Sequence, residues 1–280
     1  MPGLAYLGIV FAIPLIYAIG ITFFDWNLLR PDLGIKFVGL KNYIDILTEV
    51  QTWNTIGRTL YFVIGAVGIE LILGTAIALL LNRDFPGTDI VSSVVLAPFM
   101  MAPIVVGFVW RFLLNRTFGP LVHLFSSLGL DFLTSPPIFA NGDLVIPAII
   151  TMDVWQFTPF VVLVVLAGLK SLSTQYYEAA EVDGASRWQM FWYITLPLLK
   201  PTLLVAAVIR TLTALRIFDT IMVTTQGGPG YSSEVLSFFA YRLGFESYEM
   251  GSAGTVGIII LTLALIFTLF YIKIVGVESE

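Results

Sequence analysis

The chain has 280 residues, 58% of them apolar and 12% charged, with 14 Lys and Arg against 19 Asp and Glu, a net charge of −5 and a mean hydropathy of +0.91. A soluble domain averages about 25% charged residues, so a fully water-exposed protein is excluded and lipid must cover much of the surface. The absence of cysteine excludes disulfide, iron–sulfur and thiolate–zinc frameworks, and the single histidine, His123, excludes His-pair metal motifs. The acidic balance argues against nucleic acid as a partner, because phosphate binding needs a basic face.

A helix needs about 20 mostly apolar residues to cross roughly 30 Å of hydrocarbon. Six stretches qualify, at about 3–24, 59–81, 90–114, 144–169, 201–223 and 252–275. They are continuous runs without the alternation of a barrel strand, which predicts an all-α membrane protein of six transmembrane helices in a single domain, residues 1–280. The first run lacks a basic leading segment and a small-residue cleavage site, so it reads as a span and not as a signal peptide. Trp26, Tyr61, Trp110 and Tyr271 fall at span ends, where amphipathic rings suit the interface. Orientation does not follow from charge. With the amino terminus inside, the inner side holds Arg83, Lys170, Arg187, Lys200 and Lys273, and the outer side holds Arg30, Lys36, Lys41, Arg58, Arg116 and Arg242.

Ionisable groups within spans are costly and face a bundle interior or a wet cavity. From the helical rise of 1.5 Å per residue, Glu70 in span two and Arg210 in span five lie within about 3 Å of the midplane and could neutralise one another. Asp153 in span four and Arg216 in span five lie outward by about 5 and 6 Å, a second possible pair, with Asp219 three residues beyond Arg216 on the same helical face. Two readings fit these charges, structural pairing and lining of a solute path. The middle of span four crowds Asp153, Trp155, Gln156 and Thr158 together, the mixture of hydrogen-bonding groups and flat apolar faces that a sugar-like solute needs. An ordinary buried polar patch is the other reading. His123, in an outer loop, reads as a solvated residue, and Arg111 as one that snorkels to the interface.

The segment 170–200 has strong local helix chemistry. Ser173 or Thr174 can cap a helix through Gln175–Val182, and Gly184 stands where a left-handed residue would end it. Ser186 with Gln189 has capping-box spacing and opens a second short helix expected to stop before Pro197. By spacing alone this could be an amphipathic connector with Trp188, Phe191 and Trp192 in the interface.

The full string Glu178-Ala179-Ala180, Gly184, Ile194 and Leu196-Pro197 resembles the EAA loop of binding-protein-dependent ABC importer permeases, with every specified position at the right spacing. Further stretches are similar to the carbohydrate-uptake branch of that family: Phe24-Asp25-Trp26-Asn27, Phe37 to Tyr43, Asp183-Gly184-Ala185, Phe218-Asp219 and Thr225-Gln226-Gly227-Gly228-Pro229. The resemblance covers roughly residues 1–275 and implies a multi-pass subunit of a bacterial or archaeal plasma (inner) membrane with a cytoplasmic amino terminus. It implies a second homologous permease, two ATPase subunits that bind ATP and magnesium, an extracytoplasmic solute-binding protein and a sugar-like solute. The coupling loop is then Glu178, Ala179, Ala180, Asp183, Gly184, Ala185, Leu196 and Pro197. Outer aromatic groups such as Trp26, Tyr43, Trp53, Tyr231, Tyr241 and Tyr248 would serve either docking of the solute-binding protein or anchoring in the interface. No lysine follows a glycine, so the chain has no Walker A loop and is expected to be no enzyme itself, with no cofactor and no metal of its own. A stand-alone ion-coupled carrier or channel using Glu70, Asp153 and Asp219 is the alternative.

Overall fold

The computed structural model describes residues 2–83 and 86–275. Helix α1 (Pro2–Ile21) leads into a short antiparallel hairpin, β1 (Phe24–Asp25) with β2 (Lys36–Phe37), in which Phe24 faces Phe37. A surface helix, α2 (Lys41–Thr48), precedes the long α3 (Val50–Leu81). Next come α4 (Thr88–Leu96), α5 (Pro103–Leu113), α6 (Pro120–Ser127) and α7 (Val145–Ser171). The rest comprises α8 (Gln175–Val182), α9 (Arg187–Met190), α10 (Leu196–Ala214), α11 (Asp219–Thr224), α12 (Leu236–Tyr241) and α13 (Met250–Val275). The all-α class is therefore as expected.

The count of six spans is not reproduced among the described residues. Among the described residues four helices are long and apolar enough to cross a membrane, Val50–Leu81, Val145–Ser171, Arg187–Ala214 and Met250–Ile274, or five if one bent pair counts as a span. Within α1 the stretch Gly8–Ile21 is apolar.

The expected span at 90–114 is that bent pair, Ile90–Met100 and Pro103–Leu113, meeting at 99°. Its cause is local: Met101 and Ala102 are extended, and Ala102 precedes Pro103, whose ring disfavours helix in the residue before it. The carbonyl of Met101, left without a helical partner, accepts a hydrogen bond of 2.9 Å from the Gln156 side chain.

The expected span at 201–223 also changes shape. It begins earlier, because the helix from Arg187 does not stop before Pro197 but continues through a π turn at Phe191–Thr195 into α10. Pro197 therefore lies inside a continuous helix, where the π turn just before it accommodates the missing N–H. At the other end the helix stops at Ala214, although no Pro or Gly stands there. Tertiary contacts take over: the carbonyl of Ile217 accepts from the Ser237 hydroxyl, and the Phe218 ring packs 4.9 Å from Tyr241 and 6.0 Å from Phe238.

The core lies where α3 and α7 run together, with Phe62, Ala66, Val145 and Ile149 packed against Ala214, Ile221 and Val235. Close approach is set by small residues, as expected of helices that gain nothing from leaving lipid for one another. A Cβ on Gly74 would stand 2.6 Å from the Cβ of Val161, so α3 and α7 touch nearly backbone to side chain there.

Candidate functional site

The charges within the spans converge on one group. Arg210, from α10, donates through Nε to Glu70 Oε2 at 2.6 Å and through Nη2 to Glu70 Oε1 at 2.9 Å, a two-pronged bond to α3. The same Nη2 donates to Asp153 Oδ2 of α7 at 2.6 Å, and Nη1 donates to Thr213 Oγ1 at 2.7 Å. Four of the five N–H donors of a guanidinium are thereby used. Phe157, one turn along α7 from Asp153, lays its ring 4.0 Å from the guanidinium carbon. All three charged side chains are buried, with Arg210 at 2%, Glu70 at 0% and Asp153 at 6% exposure. In surroundings of low polarity such contacts hold only with good geometry and extensive hydrogen bonding, and here the short distances and four filled donors supply them.

Glu70 and Arg210 thus meet, as their depths suggested, but Asp153 joins Arg210 and not Arg216. Arg216 instead donates through Nε to the carbonyl of Leu212 at 3.1 Å within its own chain segment. Nor do Arg216 and Asp219 share a helical face, since the helix ends at Ala214 and α11 starts at Asp219. They do share a cavity. A hollow of about 290 Å³ is walled by Asp153, Phe157, Arg210, Arg216, Phe218 and Asp219, with Thr213 between them. The break after Ala214 is what turns Phe218 and Asp219 toward it, and the proline break before α5 places Pro103 on its rim.

The other residues proposed on span four are elsewhere, for a simple angular reason. Successive residues of a helix turn by about 100°, so the face holding Asp153 and Phe157 cannot also hold Trp155. Trp155 is half-exposed and stands edge-on to Trp110 at 6.0 Å. Gln156 is buried and spent on the Met101 carbonyl. Thr158 is buried toward α3, its hydroxyl without a hydrogen-bond partner among the described residues. None of the three walls the cavity. The grouping of Glu70, Asp153 and Asp219 required by an ion-binding carrier does not form either: among the described residues no three acidic or histidine side chains cluster to hold a metal ion.

The segment 170–200 folds as two capped helices. Ser173 Oγ accepts from the Gln175 N–H at 3.3 Å, while Thr174 makes no side-chain cap. At the far end of α8, Gly184 has φ of 75°; its N–H donates to Glu181 O at 3.0 Å and the Ala185 N–H donates to Ala180 O at 2.9 Å. This is the paired closure of a Schellman motif, which needs the left-handed residue that glycine supplies. Ser186 and Gln189 complete a reciprocal capping box. Tyr177 reaches back to Thr195 at 3.0 Å, tying α8 to the π turn and so to α10. Ala180 faces inward, while Glu178, Ala179, Glu181 and Asp183 face outward beside exposed Tyr176, Val182 and Trp188. The result is a short helix held at both ends, with Ala179 and the acidic side chains of Glu178, Glu181 and Asp183 exposed.

One feature was not singled out in the sequence. Glu234 is fully buried in a loop and bound by Arg242 at 2.7 Å, with Gln51 at 3.2 Å and Thr55 at 3.4 Å. The loop signature Gly-Gly-Pro-Gly hinted at a turn, but nothing in it named the acid beyond. Arg111 does not simply snorkel: it donates to the Val223 carbonyl at 2.7 Å and links α5 to α11.

Comparison with known proteins agrees with this architecture. Residues 58–275 match the family described as binding-protein-dependent transport system inner membrane component. The trehalose/maltose transport system permease protein MalF of Thermococcus litoralis is 40% identical over 243 residues, covering 85% of this chain and 79% of that protein. The trehalose transport system permease protein SugA of Mycobacterium tuberculosis is 32% identical over 270 residues, covering 96% and 85%. A crystal structure of a bacterial alginate ABC transporter, in complex with an alginate pentasaccharide-bound periplasmic protein, contains a chain that superposes with a TM-score of 0.79 at 25% identity, covering 96% of this chain and 90% of that one. With its apolar spans, its buried ion triplet and this match over most of its length, the chain belongs to the binding-protein-dependent transport system inner membrane component family, the multi-pass permease subunits of ABC importers.

Proposed function

We propose that this subunit passes a sugar or sugar-like polyhydroxylated solute through the cavity between α7, α10 and α11. The observation that carries this reading is the lining: two aromatic faces, Phe157 and Phe218, stand beside Asp153, Arg216, Asp219 and Thr213. Sugar rings present hydroxyls at their edges and C–H groups on their faces, and the lining offers a counterpart for each. At about 290 Å³ the hollow is at the lower end of small-molecule sites, in keeping with a path completed by a second permease. The names of the relatives, trehalose, maltose and alginate transporters, point to the same solute class.

In this proposal a solute-binding protein delivers the solute from outside and two ATPase subunits drive the cycle. Helix α8 is the coupling element, with the amino terminus on the same, cytoplasmic side. Ala179 allows close approach, Glu178 and Asp183 offer carboxylates to basic groups, and the Tyr177–Thr195 bond passes movement of α8 into α10, which carries Arg210. ATP and magnesium sit on the partner ATPase, and hydrolysis belongs to it.

The test is uptake of labelled trehalose and maltose by vesicles holding the complete transporter, for the wild type and for Asp219→Ala. Loss of uptake at unchanged ATPase assembly supports the assignment of the cavity. Wild-type uptake of either sugar that Asp219→Ala, Arg216→Ala and Phe218→Ala all leave intact would remove this cavity from the path.

A further inference from the structure

Where α1 ends and α13 begins, two hollows lie side by side. One, of about 300 Å³, is walled by Asp25, Arg30, Lys41, Asp45 and Glu249 among others. Its neighbour, of about 380 Å³, is walled by Tyr17, Gly20, Ile21, Phe24, Trp26 and Ile35. Phe24 and Trp26 wall both, so a charged hollow and an apolar one adjoin across the same two residues. Their order along the membrane normal follows from the helices. Tyr17 lies one turn, about 6 Å, deeper in α1 than Ile21, whereas the charged residues sit on the hairpin, α2 and the start of α13 beyond the helix end. The apolar hollow therefore opens at hydrocarbon depth, and the charged one at the level of the headgroups, with Tyr17 and Trp26 as the amphipathic rings expected there.

The charges narrow the occupant. Three carboxylates face two cations, and Lys41 is spent on Asp45 at 2.7 Å. The hydrogen bond and charge of Asp45 hold the Lys41 ammonium above the ordinary lysine range. Arg30 is then the cation left in the same wall as Asp25 and Glu249, a set complementary to a group carrying one phosphate and one ammonium, and unfavourable to a purely anionic headgroup. The apolar side has room as well: a Cβ added to Gly20 would meet nothing within 4 Å, so α1 has an open notch there.

We propose that this double hollow holds one membrane phospholipid, its primary-ammonium phosphodiester headgroup among Arg30, Asp25 and Glu249 and an acyl chain in the notch at Gly20. The lipid would fasten α1 to α13 at the helix ends.

The experiment takes the complete transporter into nanodiscs of equal phosphatidylethanolamine and phosphatidylglycerol, strips lipid in steps and counts what remains bound by native mass spectrometry. Phosphatidylethanolamine is expected to persist on the wild type. Gly20→Leu sets its Cβ where no protein atom lies within 4 Å and is expected to lower retention about tenfold, the value of roughly two methylene contacts. Ala12→Leu adds the same bulk elsewhere on α1 and is expected to change nothing. Glu249→Gln is expected to shift preference toward phosphatidylglycerol. Should Gly20→Leu fail to assemble, Ile35→Ser, in an exposed turn, makes the same test. Equal retention by the wild type and by these notch variants, or wild-type retention of phosphatidylglycerol as strong as that of phosphatidylethanolamine, overturns the proposal.

Discussion

Glu70 and Arg210, 140 positions apart in the chain, are joined by two hydrogen bonds of 2.6 and 2.9 Å where neither side chain is more than 2% exposed. Asp153 shares the same guanidinium, so three spans are tied at one point. Arg210→Met leaves two buried carboxylates without a cation, and removal of one partner from a buried pair costs about 3–5 kcal/mol. The transporter is expected to lose most of its thermal stability in detergent, read as a fall in melting temperature. Exchange of the two charges, Glu70→Arg with Arg210→Glu, is expected to remain unstable, because Asp153 would then face a carboxylate. Rescue by that exchange would show that Asp153 is not part of the triplet.

The cavity separates two kinds of charge. Arg216 and Asp219 are exposed to it and make no ion pair among the described residues, so Arg216→Gln and Asp219→Asn should alter stability by no more than about 0.5 kcal/mol. Both are expected to lower uptake of the solute severalfold. Asp153→Asn is expected to lower both stability and uptake, since it also weakens the bond to Arg210. Melting curves and uptake rates measured on the same preparations distinguish the two patterns.

Gln156 serves the break before α5. Gln156→Leu keeps the volume but strands the Met101 carbonyl, a loss of about 1–3 kcal/mol for a buried unsatisfied group. Hydrogen exchange is expected to rise around residues 97–106, and unchanged exchange there would assign Gln156 another role.

At the coupling helix, Gly184→Ala places a side chain at φ of 75° and is expected to cost about 1 kcal/mol, with α8 loosened at its end. Gly184→Pro also removes the N–H that reaches Glu181, and Glu178→Lys reverses the exposed charge that the proposed coupling contact would use. Both variants are expected to reach the membrane yet lose uptake while ATP hydrolysis continues. The ratio of solute imported to ATP consumed is the measurement, and a wild-type ratio in both would remove α8 from the coupling path.

Much of the local structure was readable in advance because its causes are local. The ends of α8, the capping box at Ser186 and the left-handed Gly184 follow from neighbours within a few residues. The proline break of the third run was written as Ala102-Pro103 but was masked by an apolar composition that looks the same whether or not the helix bends. The continuation through Pro197 was less legible, since a π turn absorbs the proline and no residue type announces one. Depth along a helix can be counted from sequence, which is why Glu70 and Arg210 were matched. Which spans are neighbours cannot, which is why the depth match of Asp153 with Arg216 fails, and none of Trp155, Gln156 and Thr158 walls the cavity that Asp153 lines.

By itself the sequence determined that lipid is the solvent, that helices span it, and that one segment carries a short, acidic, doubly capped helix. These follow from composition, from the obligation to satisfy every backbone group inside hydrocarbon, and from short-range hydrogen bonding. Only the tertiary structure decided that Arg210 serves two carboxylates at once, and that the helix ends at Ala214 with no residue there to stop it. Those outcomes depend on which side chains arrive from distant spans: a guanidinium has five donors to fill, and Ser237 and Tyr241 offer contacts that another turn of helix would forfeit.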